Sequence, residues 1–135
     1  MDGTSSRFNT IEPMTDPIRV LVVDDERDTL DLIDLTLRTA GYDIHLANSG
    51  EESLEMIRNN TFDIVLLDIM MPDMSGFDVL RTLREESDNH PPVVFLTAKA
   101  MPEDRQEGMD LGADDFLAKP VTRGSLLDTI KKHTG

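Results

Sequence analysis

The sequence predicts an α/β domain in which five short strands form one parallel sheet and five helices cover both of its faces. Three observations predict it. Ile64-Val65-Leu66-Leu67 and Val93-Val94-Phe95-Leu96 are unbroken apolar runs, the signature of strands buried on both faces. The stretches between such runs carry apolar residues at helical spacing. The two signals alternate along the chain, which implies a parallel sheet built from right-handed crossovers. A chain of 135 residues is long enough for one such domain with a real core and too short for two.

Each element has its own signal. Residues 1–16, with Gly3, Ser5, Ser6 and Pro13, lack periodicity and read as a flexible leader before a domain at 17–135. Ile18-Arg19-Val20-Leu21-Val22-Val23 is rich in β-branched residues and reads as the first strand, ending at Asp24-Asp25-Glu26. Leu30, Ile33 and Leu37 mark the first helix, and Gly41 lies where a helix stop is expected. Tyr42 to Ala47 reads as the second strand, with Ile44 and Leu46 on one face. Ser49-Gly50-Glu51-Glu52 has the form of a capping box, and Leu54 and Ile57 then point inward. The third strand, Ile64 to Leu67, ends at Asp68. Ser75 starts a third helix, with Phe77, Leu80 and Leu83 three apart. Pro91-Pro92 breaks the chain before the fourth strand, which ends at Thr97. Pro102 suits the first turn of a fourth helix, where its missing N–H is no loss. That helix is weakly apolar, with Met109 and Leu111 its best inward candidates, and is expected to be exposed and marginal. Gly112 ends it. Phe116-Leu117-Ala118 is a short fifth strand before Lys119-Pro120. Leu126, Leu127 and Ile130 mark the last helix, and Lys131, Lys132 and His133 near its end suit the helix dipole.

Composition removes several function classes. A net charge of −14 argues against direct nucleic-acid binding and against attraction to anionic membranes, and by itself it also serves solubility. The absence of cysteine excludes disulfides and thiolate chemistry. No apolar stretch approaches a membrane span, and the first residues carry no secretion-signal core, so the cytoplasm is the expected compartment.

Ligands of open α/β sheets bind beyond the carboxyl ends of the strands. The strands deliver Asp24 and Asp25, Asp68, Thr97 and Lys119 to that edge. Carboxylates brought together repel: a pair about 4 Å apart costs roughly 4 kcal/mol at an effective dielectric near 20. Protonation or a hard divalent cation relieves this, and oxygen ligands without His or Cys favour Mg²⁺ or Mn²⁺. Lys119 can pair with a carboxylate or a phosphoryl oxygen, and Thr97 can donate to another. Together these parts describe phosphoryl transfer to a carboxylate.

Four motifs then resemble the receiver domains of two-component response regulators, of which the chemotaxis regulators are one type. They are Val22-Val23-Asp24-Asp25-Glu26, Asp68-Ile69-Met70-Met71-Pro72-Asp73-Met74-Ser75-Gly76, Leu96-Thr97-Ala98, and Gly112-Ala113-Asp114-Asp115-Phe116-Leu117-Ala118-Lys119-Pro120. The resemblance covers about residues 18 to 133 and implies a flavodoxin-like fold with strand order 2-1-3-4-5. It implies that Asp68 accepts a phosphoryl group from the phosphohistidine of a histidine kinase or phosphotransfer protein. It implies Mg²⁺ held by Asp25, Asp68 and the Met70 backbone carbonyl, with Asp24 acting mainly through water. Thr97 and Lys119 would grip the phosphoryl oxygens, and a cis Lys119-Pro120 peptide would aim Lys119 inward. Thr97 and the aromatic Phe116, with its buried rotamer favoured, would switch the surface of helix 4, strand 5 and helix 5. That surface would meet a downstream partner, an output domain or a phosphorylation-dependent second copy. Met70 and Lys99 hold the two positions that tune phosphoryl lifetime in such domains.

Two other classes fit parts of the pattern. A Mg²⁺-dependent phosphohydrolase with an aspartyl-phosphate intermediate would want a second Asp two residues after the nucleophile, where this chain has Met70, and a cap to hold substrate. A degenerate interaction module would not need the intact carboxylates, hydroxyl and lysine. A receiver is not a multiple-turnover enzyme, since it catalyses only its own phosphorylation and dephosphorylation. Asp73 reads as a turn residue, and Met70, Met71 and Met74 as loop packing rather than a soft-metal site. The three histidines take no role. No output domain follows the last helix within these 135 residues, so a stand-alone receiver and one domain of a longer regulator are both open.

Overall fold

The computed structural model describes residues 16–98 and 101–135. The leader at residues 1–16, except Asp16, and Lys99 lie outside the described residues. The elements run β1 (Arg19–Val23), α1 (Arg27–Thr39), β2 (Asp43–Ala47), α2 (Gly50–Asn59), β3 (Ile64–Asp68), α3 (Gly76–Glu86), β4 (Val93–Thr97), α4 (Pro102–Asp110), β5 (Asp115–Ala118) and α5 (Arg123–Thr134). The five strands form one parallel sheet in the order β2-β1-β3-β4-β5. This is the flavodoxin-like arrangement expected above.

The sheet carries a core on each face because side chains alternate along every strand. Leu21, Val23, Val65, Leu67, Val93 and Phe95 point to one face and meet Leu54 of α2 and Phe77, Leu80 and Leu83 of α3. Val20, Val22, Ile64, Leu66, Val94 and Leu96 point to the other and meet Leu30, Ile33 and Leu37 of α1 and Leu126 and Ile130 of α5. All five residues of β3 and of β4 are buried, as their unbroken apolar runs require.

The helix starts differ in detail from expectation. At α2, Ser49 Oγ accepts from the Glu52 N–H, but the Glu52 carboxylate takes the N–H of Asn48 rather than that of Ser49. The capping box is therefore displaced by one residue in its return arm. A full capping box forms instead at α3, between Ser75 and Asp78. Thr122 caps α5 by accepting from the Ser125 N–H. Gly41 and Gly112, both at φ +96°, end α1 and α4, and Asp73 takes a left-handed turn at φ +70°.

One inward assignment fails. Met109 is 55% exposed, and the only buried residue of α4 is Gly108. The reason is geometric: a Cβ on Gly108 would stand 2.5 Å from Phe116 Cζ, so aromatic rings from the sheet fill the space an α4 side chain would otherwise occupy. Leu111, just after the helix, packs against that core as expected.

Candidate functional site

The site is built by strand ends in register. Val23 pairs with Leu67, Asp68 with Leu96, and Thr97 with Ala118, so the chain leaves four neighbouring strands at one edge. Asp24 follows β1 directly. Its N–H continues the ladder to the Ala47 carbonyl, and its Oδ1 accepts from the Glu26 N–H, which turns the loop back over the edge. Asp68 is the last residue of β3. The chain then returns so tightly that Gly76 N–H donates to the Ile69 carbonyl. A Cβ at Gly76 would overlap the Asp68 carbonyl oxygen, so the start of α3 lies directly on the end of the acceptor strand. At the end of β5, the Lys119 N–H donates to the Thr97 carbonyl and the Lys119-Pro120 peptide is cis.

This brings the expected groups together. Asp24, Asp25 and Asp68 each place a carboxylate oxygen within 4.8 Å of the others, the one such His/Cys/Asp/Glu group among the described residues. Asp24 is fully buried, Asp68 is 4% exposed and Asp25 lies on the surface. Lys119 Nζ stands 2.6 Å from Asp24 Oδ2 and 3.4 Å from Asp68 Oδ1. Asp24 Oδ2 has this ion pair but no hydrogen bond of regular geometry, leaving a buried oxygen with unused acceptor capacity. Thr97 is buried at the adjoining strand end.

The electrostatics follow from burial. Burial, then the charge of Asp24, pushes the Asp68 carboxyl up to about 7, against the opposing pull of Lys119 and of the Met70 N–H. Burial works to lower Lys119, but the carboxylates of Asp24 and Asp68 outweigh it and hold its pKa above the ordinary value. The pocket therefore carries more carboxylate than one ammonium can balance.

The remaining expected residues surround this centre. The Met70 side chain is 76% exposed beside Asp68. Met71 is buried, and Met74 lies over Gly50 with its Cγ 2.9 Å from where a Cβ would stand, so these two thioethers do pack the loop. Phe116 is half-buried rather than fully buried. Its ring lies 5.6 Å from that of Phe95, beneath Gly108, and the Arg105 guanidinium sits 4.8 Å from its centroid on the outer side. Two residues of the four motifs, to which the sequence assigned no role, also belong to the site. Glu26 reaches to 3.6 Å of Lys119, and Gly76 permits the close return of α3. Two of the three histidines make structural contacts: His133 pairs with Asp115 at 2.9 Å, and His45 stacks edge-on against Phe62.

Comparison with known proteins agrees with this geometry. The family model for the response regulator receiver domain matches residues 20–131. The chain is 43% identical over 117 residues to the transcriptional regulatory protein DltR of Streptococcus agalactiae, covering 87% of this chain and 52% of that protein. It is 43% identical over 115 residues to the response regulator MprA of a Mycobacterium species, covering 85% and 50%. The chain thus spans about half the length of these curated relatives. Among solved structures, the Vibrio cholerae chemotaxis protein CheY4 superposes with a TM-score of 0.83 at 34% identity, covering 87% of this chain and 99% of that one. The receiver domain of Francisella response regulator 1452 does so with a TM-score of 0.81 at 32% identity, covering 87% and 96%. The chain belongs to the response regulator receiver domain family of two-component signalling.

Proposed function

We propose that Asp68 is the phosphoacceptor of this receiver, taking its phosphoryl group from a phosphohistidine on a histidine kinase or phosphotransfer protein. The observation that carries this reading is the meeting of three carboxylates, oxygens within 4.8 Å, under one ammonium. An Asp68 carboxylate oxygen forms the new P–O bond while the P–N bond breaks and its electron pair returns to the imidazole. Lys119, already 3.4 Å from Asp68, pairs with an oxygen of the arriving group, and the Thr97 hydroxyl donates to another.

The donor set suits a hard divalent cation. It offers oxygens only, one of them the under-used Oδ2 of Asp24. Mg²⁺, or Mn²⁺ in its place, is assigned to Asp25, Asp68 and the Met70 carbonyl, with Asp24 acting through water. Such an ion supplies positive charge that offsets the carboxylates and the phosphoryl oxygens. The Met70 side chain and Lys99 are assigned to the lifetime of the phosphorylated state, Met70 by excluding in-line water and Lys99 by charge. An unchanged hydrolysis half-life in Met70→Ala and Lys99→Ala would remove that assignment.

The signal leaves through Thr97 and Phe116 to the surface of α4, β5 and α5, by biasing a two-state equilibrium. A protein partner, an output domain or a second copy reads that surface. The curated relatives are about twice as long, and some are named transcriptional regulators, so any DNA contact is assigned to a part other than this acidic domain. Among the described residues no helix is long and apolar enough to cross a membrane; the cytoplasm is the compartment assigned to this receiver family. Incubation with acetyl phosphate and Mg²⁺ tests the reading. The intact mass should rise by one phosphoryl group, hydroxylamine should reverse it, and Asp68→Asn should abolish it. No adduct would favour a module that keeps the fold alone.

A further inference from the structure

The helix α4 rests on the sheet through Gly108, which faces Phe116 and Phe95, and is tied to α3 by two arginine side chains. It buries only Gly108. Its C-terminal end is closed by Arg84 of α3, whose Nη1 donates to the Leu111 carbonyl at 2.5 Å. The space for this guanidinium is built in: Gly112 adopts φ +96°, and a Cβ there would stand 2.8 Å from Arg84 Nη1. One turn earlier, Arg81 bridges Asp78 of its own helix at 2.9 Å and Glu107 of α4 at 3.7 Å. At its other end α3 starts on the acceptor strand, where Gly76 admits no side chain against the Asp68 carbonyl. A single rigid helix therefore joins the backbone of Asp68 to the end of α4.

We propose that Arg84 is a positioning residue of the switch, which fastens α4 to α3 in the unphosphorylated arrangement. The contact is a charge-assisted hydrogen bond at a helix C-terminus, where a cation also meets the negative end of the dipole. It is independent of Thr97 and Phe116, and it gives the acceptor strand a second mechanical hold on the output surface. With the bond assigned in this way to the unphosphorylated arrangement, removing it should shift the equilibrium toward the other state. By linkage, the protein then takes a phosphoryl mimic more readily. This inference rests on the phosphoacceptor reading for its switch component, whereas the fastening of α4 stands on the contacts alone.

Two measurements on the full chain test it, using Arg84→Gln, the conservative Arg84→Lys and a control, Arg58→Gln. The control breaks the ion pair between Arg58 and Glu86 at the end of the same α3 helix. Amide hydrogen exchange at residues 107–113 should quicken roughly two- to fivefold in Arg84→Gln, as loss of one exposed charged contact allows, with the sheet and α1 unchanged. Beryllofluoride with Mg²⁺ should bind that variant tighter by a similar factor. Arg84→Lys, which keeps the charge and one donor, should fall between, and the control should match wild type in both. Unchanged exchange at α4, equal acceleration in every element, or unaltered or weaker beryllofluoride binding would each overturn the proposal. If wild type itself binds no beryllofluoride, the phosphoacceptor reading and the switch role fail together. The exchange result then decides whether Arg84 holds α4 at all.

Discussion

Replacing Asp68 with Asn should make the metal-free protein more stable at neutral and alkaline pH, although it deletes the residue assigned to the chemistry. Asp68 is 4% exposed, and burial beside Asp24 pushes its carboxyl up to about 7 from the ordinary 3.8. Between these values the folded state holds a proton that the unfolded chain has released. Stability therefore falls as pH rises through this window and stays low above it. A shift of about three units corresponds to roughly 4 kcal/mol in full, and an effective dielectric well above that of a dry interior reduces it to about 2 kcal/mol. Asn removes that loss and keeps the shape. Lys119 gives up Asp68 at 3.4 Å but keeps Asp24 at 2.6 Å and Glu26 at 3.6 Å. In EDTA at about pH 8, the variant should melt roughly 6–10 °C higher and show a higher urea midpoint with an unchanged slope. The gain should shrink to about a third near pH 5 and vanish below about pH 4. Equal or lower stability of the variant at pH 8, or a gain independent of pH, would show that the Asp68 carboxylate carries no such penalty in the folded state.

Three further substitutions probe the metal site, the seat of α4 and the start of α3. Asp25→Asn alters a surface carboxylate, so metal-free stability should stay within about 0.5 kcal/mol of wild type, while the rise in melting temperature on adding Mg²⁺ should largely disappear. Gly108→Ala puts a methyl 2.5 Å from Phe116 Cζ, so about 1–3 kcal/mol of stability should be lost in urea titration, with the Phe116 ring resonances displaced. Ser75→Ala removes one arm of the capping box at the start of α3 and should cost about 1 kcal/mol by the same titration.

The parts of this molecule written in local chemistry were legible from its residues. The unbroken runs of β3 and β4 can only be satisfied by burial on both faces, and a carboxylate at the end of such a run has to lie at the sheet edge. Asp24, Asp68, Thr97 and Lys119 could thus be placed together before any coordinates. What stayed hidden depends on approach between distant segments. The weak apolar pattern of α4, with Met109 and Leu111 its best candidates, marks the helix as exposed, but nothing local to Gly108 says that two aromatic rings fill the space beneath it. Gly76 reads as an ordinary helix start until the Asp68 carbonyl is found against it. The bond from Arg84 to Leu111 spans 27 residues and leaves only a glycine, Gly112, as its trace. At α2 the Ser and Glu spacing was right, but loop direction sent the Glu52 carboxylate to Asn48 instead.

Of the three carboxylates, Asp68 at the end of β3 is the one assigned to receive the phosphoryl group. Borohydride reduction of the acetyl-phosphate-treated protein converts an aspartyl phosphate into homoserine, and peptide mapping then locates it. Homoserine is expected at position 68 alone, dependent on Mg²⁺. Homoserine at position 24 or 25, or none anywhere after a mass shift, would contradict that assignment.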